Sequence, residues 1–403
     1  MTLLSTPKMA RDYAFYRRVF AGRRLPLAYV DLDLLDANAA QLSQRARPLK
    51  MRLATKSLRC VSILRYLLDR YPAFSGLMAY SPAEAAFLAD QGFDDLLLGY
   101  PTMESSEILP CIDWIRRGKW LAFMVDDPRQ IALLEALAAS GGAVQVPVCI
   151  DLDLSMDLPG LRFGVFRSPI QALRQAEPLL SALAKAPHLQ LQGLMGYEAQ
   201  LAGIADAIPK SGLYNRMILL LKALSQRQAF NRRQTLVRQL HQRSFPLRLI
   251  NGGGTGSIDR TRLDPSVTEL TVGSGLYAPA LFDHYREFHY QPAAGFALPV
   301  VRQAAPDIYA CSGGGYVASG PTHADKQPEP YLPPGMSLIK TLGAGEVQTS
   351  LRSPVPLELG DPVFMRHAKA GELCERFDSL YLLRQGEIDK VVSTYRGQGT
   401  CFF

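Results

Sequence analysis

Short apolar runs alternate with helical stretches along most of the chain, and this alternation limits the possible folds more than any other feature of the sequence. Between Pro26 and Pro279, runs of strand length are separated by segments of helical character. Several runs are almost continuously apolar, as expected of strands that are covered on both faces. The candidate strands are Leu27–Asp31, Arg52–Thr55, Gly76–Tyr80, Leu96–Tyr100, Leu121–Val125, Val144–Asp151, Leu191–Tyr197, Leu247–Asn251 and Glu269–Val272.

The number and spacing of these runs predict a barrel. Repeated strand–helix units over roughly 250 residues are typical of a (β/α)8 barrel or of a doubly wound open sheet. There are nine candidate strands and a barrel of this kind has eight, so one candidate would lie outside the barrel. Because the numbers agree this closely, we favour the barrel. One intervening helix is marked at its start by Ser81-Pro82-Ala83-Glu84, which supplies a capping residue, a first-turn proline and a nearby glutamate.

The C-terminal part of the chain has a different pattern. After about Tyr290, helical periodicity fades, and proline and glycine separate short β-like runs, which predicts antiparallel strands. We therefore predict an α/β protein: a (β/α)8 TIM barrel over residues 24–285, and a C-terminal antiparallel β-domain over residues 286–403 that also includes residues 1–23. The candidate strands of the β-domain are Ile308–Cys311, Leu338–Thr341, Pro362–Met365, Leu380–Leu383 and Val391–Thr394.

Composition argues against several classes of protein. Apolar residues make up 48% of the 403 residues and charged residues 20%, as in ordinary globular proteins. No apolar run reaches the ~18–20 residues that cross a bilayer, and the N-terminus lacks the apolar core of a secretory signal. We therefore expect a cytoplasmic protein without a membrane partner. The net charge of +7 is spread along the chain without a run of like charges, so we expect no nucleic-acid partner. Six scattered cysteines predict buried free thiols.

A lysine stands where a predicted barrel strand ends. Lys56 follows the apolar run Arg52–Thr55 and precedes a helical stretch. That end of a barrel strand faces the active site. A lysine held there can lose its proton and attack a carbonyl carbon, which an arginine cannot do. From position alone, a strand-end lysine that reaches solvent is the alternative.

Two glycine turns follow late candidate strands. In the first, residues 251–257, consecutive glycines let backbone N–H groups converge on an anion, and Thr255 and Ser257 add hydroxyl donors. Barrel proteins often hold phosphate in such late loops, whereas the ending of a P-loop is missing here. The second turn, residues 273–277, adds further N–H groups and the hydroxyl of Tyr277. A flexible turn is the alternative.

The order of these motifs resembles that of the fold-type III pyridoxal-phosphate enzymes, specifically the D-threonine aldolase and D-serine dehydratase branch of the alanine racemase-like barrels. The resemblance extends over most of the chain and rests on order and spacing rather than on one motif. The matching segments are Pro26–Asp33, a helix with Asn38, the Lys56 strand, Leu161–Val165, Gly196–Glu198, Gly252–Ser257 and Gly273–Tyr277.

The resemblance implies a cofactor and residues to hold it. Pyridoxal 5'-phosphate would be bound to Lys56 as a Schiff base. Arg162 would donate to the phenolic oxygen of the cofactor, and Tyr197 would lie beside its pyridine ring. A surface arginine and a core aromatic are the respective alternatives. The residues around the phosphate would be Gly253, Gly254, Thr255, Ser274 and Tyr277.

The sequence departs from this family near its C-terminus. The aldolases and dehydratases carry a metal-binding pair there, a histidine followed two residues later by an aspartate or cysteine. Here His367 is followed by Lys369, and a protonated lysine has no lone pair and repels a divalent cation. We therefore expect no metal, and prefer the hypothesis that the Lys369 ammonium substitutes for the metal's charge. A replacement ligand from Glu372 or Cys374 is the alternative.

The resemblance implies an enzyme that acts on amino acids. Our first choice is a lyase that cleaves a D-3-hydroxy amino acid by a retro-aldol reaction, with His367 helping to take the proton of the β-hydroxyl. An amino acid racemase, a D-serine dehydratase or deaminase, and a non-catalytic pyridoxal-phosphate-binding protein are alternatives. A barrel hydrolase or phosphosugar enzyme that uses Gly252–Ser257 to bind its phosphate is a further alternative. The resemblance also implies a homodimer.

Overall fold

The computed structural model describes residues 11–140, 142, 144–321 and 323–402. In chain order, the strands are β1 (Leu27–Asp31), β2 (Lys50–Ala54), β3 (Phe74–Ala79), β4 (Leu96–Leu98), β5 (Leu121–Val125), β6 (Val146–Asp151), β7 (Met156–Leu158), β8 (Leu161–Phe163), β9 (Leu189–Gly196), β10 (Leu249–Gly252), β11 (Glu269–Val272), β12 (Ala294–Ala305), β13 (Ile308–Ser312), β14 (Glu329–Leu332), β15 (Ser337–Leu338), β16 (Gln348–Arg352), β17 (Pro362–Arg366), β18 (Ser379–Arg384) and β19 (Glu387–Ser393).

The helices separate most of the earlier strands. They are α1 (Tyr13–Val19), α2 (Leu32–Ala46), α3 (Val61–Arg70), α4 (Pro82–Asp90), α5 (Ser105–Arg116), α6 (Pro128–Ser140), α7 (Leu173–Leu183), α8 (Ala199–Ala202), α9 (Gly212–Gln242), α10 (Ile258–Thr261) and α11 (Ser274–Tyr277). Within the described ranges, no helix combines the length and apolar character that a membrane span requires.

The chain divides into two compact units. One consists of residues 39–275, 284–289 and 400–402, and the other of residues 11–38, 276–283 and 290–399. The first unit holds a closed barrel in the order β2-β3-β4-β5-β6-β9-β10-β11, in which every neighbouring pair is parallel. The predicted barrel is confirmed, and each of its strands overlaps a candidate strand.

The first candidate strand lies outside the barrel. β1 pairs antiparallel with β12 and parallel with β18, so it belongs to the sheet of the second unit. All five of its residues are buried. A strand covered on both faces is apolar throughout in either kind of sheet, which is why its sequence resembles that of a barrel strand.

The second unit is built on a mainly antiparallel sheet, as predicted. Its strand order is β15-β16-β13-β12-β1-β18-β19, with β17 paired to both β12 and β14. Helix α1 packs on this sheet through an aromatic cluster, in which Tyr16 contacts both Tyr29 and Phe364. The predicted strands Ile308–Cys311, Pro362–Met365, Leu380–Leu383 and Val391–Thr394 correspond to β13, β17, β18 and β19. The predicted strand Leu338–Thr341 shares only Leu338 with β15, and its other residues lie outside that strand.

The barrel unit combines apolar packing with buried cations, of which Arg52 lies on strand β2. Arg52 is almost fully buried and donates to Glu269 at 2.8 Å and to Asp95 at 2.9 Å. This pairing satisfies a guanidinium that would otherwise be costly to bury. The apolar core lies beside Tyr197 and contains Leu97, Ala122, Met124, Cys149, Met195 and Leu249.

Two smaller predictions also hold. The hydroxyl of Ser81 accepts the N–H of Glu84 at 3.2 Å and so caps helix α4, whose first residue is Pro82. The predicted buried thiols are confirmed for five of the six cysteines. The exception is Cys401, which is exposed.

Candidate active site

Lys56 lies at the carboxyl end of barrel strand β2. It is the middle residue of a 3-10 turn, Thr55–Ser57, which the hydroxyl of Thr55 anchors by donating to the carbonyl of Met78 at 2.9 Å. The side chain of Lys56 is exposed, and its Nζ donates to the hydroxyl of Tyr100 at 3.0 Å. The carboxyl ends of barrel strands surround one opening, so this amine stands at the mouth of the barrel.

Tyr100 follows β4 and is flanked by two cations. Besides Lys56, the guanidinium of Arg167 lies 4.9 Å from the centre of its ring. Arg167 is held in place because it donates to Asp151 at 3.0 Å and to the carbonyl of Gly99 at 2.5 Å. Burial alone would raise the pKa of Tyr100, but the charges and hydrogen bonds of Lys56 and Arg167 hold this pKa below its usual value.

Asp151 at the end of β6 provides the counter-charge to this cluster. Its carboxyl is 1% exposed and lies 2.8 Å from Arg167. Burial raises the pKa of Asp151 to about 6, although the charge of Arg167 opposes the shift.

Tyr197 follows β9 and closes one side of the first glycine turn. A Cβ atom on Gly254 would lie 3.1 Å from Cε2 of Tyr197, so this close approach favours glycine. Burial raises the pKa of Tyr197, and the charge of Lys56 opposes this shift. Lys56 therefore lies close enough for its positive charge to act on the hydroxyl of Tyr197.

The two glycine turns are joined to each other and to the lysine turn. The Oγ1 atom of Thr255 accepts the backbone N–H of Gly273 at 3.4 Å and that of Gly275 at 3.2 Å. Ser57, which follows the lysine, is 3.4 Å from the hydroxyl of Ser274. Segments that follow β2, β10 and β11 therefore form one connected structure.

The first glycine turn rests on a buried arginine of the long helix α9. The guanidinium of Arg233 is fully buried, donates to Asp264 at 2.6 Å and forms a close ion pair with Glu198. It also donates to the carbonyl of Gly196 at 3.1 Å. Sequence reasoning missed this arginine, because its partners lie more than thirty residues away in the chain.

Arg162 lies in the β7–β8 hairpin rather than beside Tyr100. Its guanidinium pairs with Asp153 at 2.5 Å and with Asp157 at 3.1 Å, and it lies 4.4 Å from the centre of the Phe166 ring. In this arrangement, Arg167 is the arginine next to Tyr100. The proposed contact of Arg162 with a cofactor stays a prediction.

His367 belongs to the sheet unit and is deeply buried. It is 3% exposed, and neither ring nitrogen has a hydrogen-bond partner among the described residues. Burial and the charge of Arg366 lower the pKa of His367 to about 3. Its imidazole lies edge-on to the ring of Tyr277, with the ring centres 6.4 Å apart. Tyr277 therefore lies in the same unit as His367, and its predicted contact with phosphate stays a prediction.

Lys369 is exposed in the same unit. Its Nζ donates to the hydroxyl of Ser319 at 3.1 Å, and Glu372 accepts the backbone N–H of Ser319 at 2.8 Å. Among the residues that the structure describes, no group of three histidine, cysteine, aspartate or glutamate side chains is placed to hold a metal ion.

The residues of the barrel unit fit a phosphorylated aldehyde. A primary amine is available at Lys56, and the 3-10 turn Thr255–Ser257 begins directly at Gly254. The N–H of Gly253 donates to Glu198 at 2.8 Å and that of Gly254 donates to Oγ of Ser257 at 3.1 Å, so these two donors are already paired. Further N–H groups at the start of such a turn are suited to an anion. The structure thus brings together Lys56, Tyr197, Gly253, Gly254, Thr255 and Ser274, and it adds Tyr100 and Arg167. Tyr100 ends a candidate strand, which is the signal that could have identified it.

The candidate site combines a lysine at the end of one strand of a closed barrel with glycine turns after two later strands. The family model of the alanine racemase N-terminal domain matches residues 30–280. The chain therefore belongs to this family of fold-type III pyridoxal-phosphate-dependent enzymes.

Solved structures of similar fold cover nearly the whole chain. The D-threonine aldolase from Filomicrobium marinum has 18% sequence identity and a TM-score of 0.77, over 93% of this chain and 95% of its own. The D-threo-3-hydroxyaspartate dehydratase from Delftia sp. HT23 has 17% identity and a TM-score of 0.73, over 95% and 99%. The alanine racemase of Clostridium difficile 630 in complex with cycloserine has 14% identity and a TM-score of 0.68, over 92% and 99%. No curated protein matches the chain.

Proposed function

We propose that this protein is a pyridoxal-phosphate-dependent lyase that cleaves a D-3-hydroxy amino acid by a retro-aldol reaction. The observation that carries the proposal is the position of the Lys56 amine at the barrel mouth, connected through Ser57 and Ser274 to the two glycine turns. The similarity in fold to a D-threonine aldolase over 93% of the chain supports the choice of reaction.

The barrel unit would hold the cofactor. Lys56 would bind it covalently through its amine, and Gly253, Gly254, Thr255 and Ser274 would surround its phosphate. When bound, pyridoxal phosphate supplies an electron sink that weakens the bonds at the α-carbon of an amino acid. Tyr197, which already packs against Gly254, would limit the space on one side of the turn and exclude water from it.

Two side chains of the sheet unit would act on the substrate. Burial and the charge of Arg366 lower the pKa of His367 to about 3, so its imidazole is neutral at neutral pH and a ring nitrogen could accept a hydrogen bond from a β-hydroxyl. To help take the proton of that hydroxyl, His367 would need a higher pKa with substrate bound. Lys369 would hold a substrate carboxylate or hydroxyl with its ammonium. We further propose a homodimer in which the sheet unit of one subunit serves the barrel of the other.

A dehydratase is the second candidate, favoured by the similarity in fold to D-threo-3-hydroxyaspartate dehydratase over 95% of the chain. Both reactions begin from a 3-hydroxy amino acid and differ in the bond that breaks. An aldolase releases an aldehyde and glycine, whereas a dehydratase releases water and then ammonia, leaving a 2-oxo acid. The products therefore separate the two.

The test combines a cofactor assay with a substrate panel. We expect the purified protein to absorb near the visible edge, to lose this absorbance with borohydride, and to carry the reduced adduct on Lys56. Lys56→Ala should lack the adduct. D-threonine, D-serine, D-3-hydroxyaspartate and their L-isomers would then be assayed for aldehyde, ammonia and racemisation. A bound cofactor without turnover would indicate a non-catalytic carrier, and no adduct at all would refute the proposal.

A further inference from the structure

Tyr100 places a phenol directly against the amine on which the proposed function depends. The Nζ atom of Lys56 is 3.0 Å from the hydroxyl of Tyr100. The ring is 42% exposed, so a molecule that enters the barrel mouth meets both side chains. The two residues belong to different turns, one after β2 and one after β4, and each turn is anchored to the end of β3, through Met78 and Ala79 respectively.

The amine requires a proton acceptor. A lysine is protonated at neutral pH, and its nitrogen can bond to a carbonyl carbon only after a proton has been removed. Among the described residues, the hydroxyl of Tyr100 is a hydrogen-bond partner of this nitrogen, and Arg59 donates to the backbone carbonyl of Lys56. A neutral phenol in this position accepts a hydrogen bond, whereas a phenolate accepts the proton itself.

The surroundings of Tyr100 favour the phenolate. Tyr100 contacts Lys56 in the turn after β2, and the guanidinium of Arg167, in the segment after β8, lies 4.9 Å from its ring centre. Tyr197 contributes a neutral phenol from the turn after β9. Asp151 supplies one negative charge, which is paired with Arg167. The charges of Lys56 and Arg167 therefore make the phenolate form of Tyr100 more accessible than in an isolated tyrosine.

We propose that Tyr100 is a catalytic acid–base residue that exchanges a proton with Lys56. In the forward step, the Lys56 ammonium transfers a proton from Nζ to the Oη atom of the Tyr100 phenolate. The products are a neutral amine and a neutral phenol, so charge and atoms balance without another reactant. In the reverse step, the phenol returns the proton when Lys56 is released as a free amine. This inference rests on the proposed role of Lys56.

The variant Tyr100→Phe removes the hydroxyl and keeps the ring under Arg167. Capture of pyridoxal phosphate by the cofactor-free full-length protein would be followed by absorbance, with borohydride trapping at Lys56 as confirmation. General acid–base groups contribute about 10²–10⁴-fold, so we expect capture at neutral pH to slow by about tenfold or more. At high pH, where lysine loses its proton without help, the two rates should converge.

The shape of the pH profile separates this role from a structural one. A tyrosine that only packs would slow capture by the same factor at every pH, and that result would overturn the inference. Tyr214→Phe is the matched control, because Tyr214 is 40% exposed and lies on α9. It should show the wild-type profile.

A second measurement does not require Tyr100→Phe to fold. In the cofactor-free wild type, one tyrosine should ionise below the usual range, as monitored by the ultraviolet absorbance of tyrosinate. In Lys56→Gln this ionisation should move to higher pH, and an unchanged titration would overturn the inference. If the wild type forms no adduct at Lys56, the proposed function fails, while the titration still decides whether Tyr100 and Lys56 share a proton.

Discussion

The carboxylate of Glu198 accepts the backbone N–H of Gly253 at 2.8 Å, and both residues are buried. The other oxygen of Glu198 is paired with the fully buried guanidinium of Arg233, which also binds Asp264. Gly253 has a φ of +73°, a conformation that glycine adopts without strain. A charged network in the barrel wall therefore holds the first glycine turn in a fixed shape.

Loss of the Glu198 carboxylate should destabilise the protein strongly. In Glu198→Ala, Arg233 loses one of its two counter-charges, and the N–H of Gly253 loses its acceptor. Breaking a buried ion pair from one side costs about 3–5 kcal/mol. We expect a loss of this size in the free energy of urea unfolding, together with weaker binding of pyridoxal phosphate.

Two comparisons make this prediction specific. Glu198→Gln keeps an acceptor for the N–H of Gly253 and should lose less stability than the alanine variant. Glu177→Ala breaks an exposed pair with Arg243 and should leave the unfolding curve unchanged. Equal effects of Glu198→Ala and Glu177→Ala would show that the network does not hold the turn.

Gly254→Ala should impair cofactor binding more than folding. The added Cβ would lie 3.1 Å from Cε2 of Tyr197 and 3.1 Å from Cβ of Ala202, so one of these neighbours must move by a few tenths of an ångström. Because the turn would hold the phosphate, we expect the dissociation constant for pyridoxal phosphate to rise about tenfold, equivalent to ~1.4 kcal/mol. Gly212→Ala, where a Cβ meets no neighbour within 4 Å, is the control and should bind as the wild type does.

The barrel was predictable because its strands are buried on both faces and therefore consist of apolar runs. The same rule could not assign β1, whose five residues are equally buried in the other sheet. β12 was missed for a different reason. Gly295 and Pro299 interrupt it, and both residue types are rare inside strands.

The site was predictable only where its chemistry is contiguous in sequence. Lys56 and the glycine turns each stand next to a recognisable strand, so position made them candidates and the order of the motifs favoured them. Tyr100 and Arg167 gain their significance from partners 44 and 16 residues away. A local sequence pattern does not reveal contacts between residues that are far apart in the chain. A basic residue in a loop looks the same in the sequence whether it pairs with a buried carboxylate or is hydrated.

The two arginines after β6 should have separable effects. Arg167→Met removes a cation beside Tyr100 and leaves the buried carboxylate of Asp151 without its partner. We expect the ionisation of Tyr100 to move to higher pH and the free energy of unfolding to fall. Arg162→Met should leave that ionisation unchanged, because Arg162 pairs with Asp153 and Asp157 instead. A shift of the cofactor's absorption maximum in Arg162→Met alone would support its predicted contact with the phenolic oxygen.

Chelation should not abolish activity. By the resemblance to the aldolases and dehydratases, position 369 is where a second metal ligand would stand. Lys369 cannot fill that role, because an ammonium has no lone pair to offer. We expect turnover to survive dialysis against EDTA and to fall in Lys369→Met. Lys369→Cys should acquire zinc, measured as metal content, because both ring nitrogens of His367 are without a hydrogen-bond partner in the described structure. Activity that disappears with chelator and returns with manganese or zinc would refute the charge-substitution hypothesis.

His367 should make the protein less stable as the pH falls. Its pKa is about 3 in the folded state and about 6.5 in an unfolded chain. Above pH 6.5 the imidazole is neutral in both states, so it adds no pH dependence. Between these two values the unfolded state binds a proton that the folded state does not, which costs about 1.4 kcal/mol per pH unit. We expect a loss of about 2 kcal/mol between pH 6.5 and 5, measured by urea unfolding. His367→Phe should lack this contribution, and parallel pH profiles for the variant and the wild type would contradict the prediction.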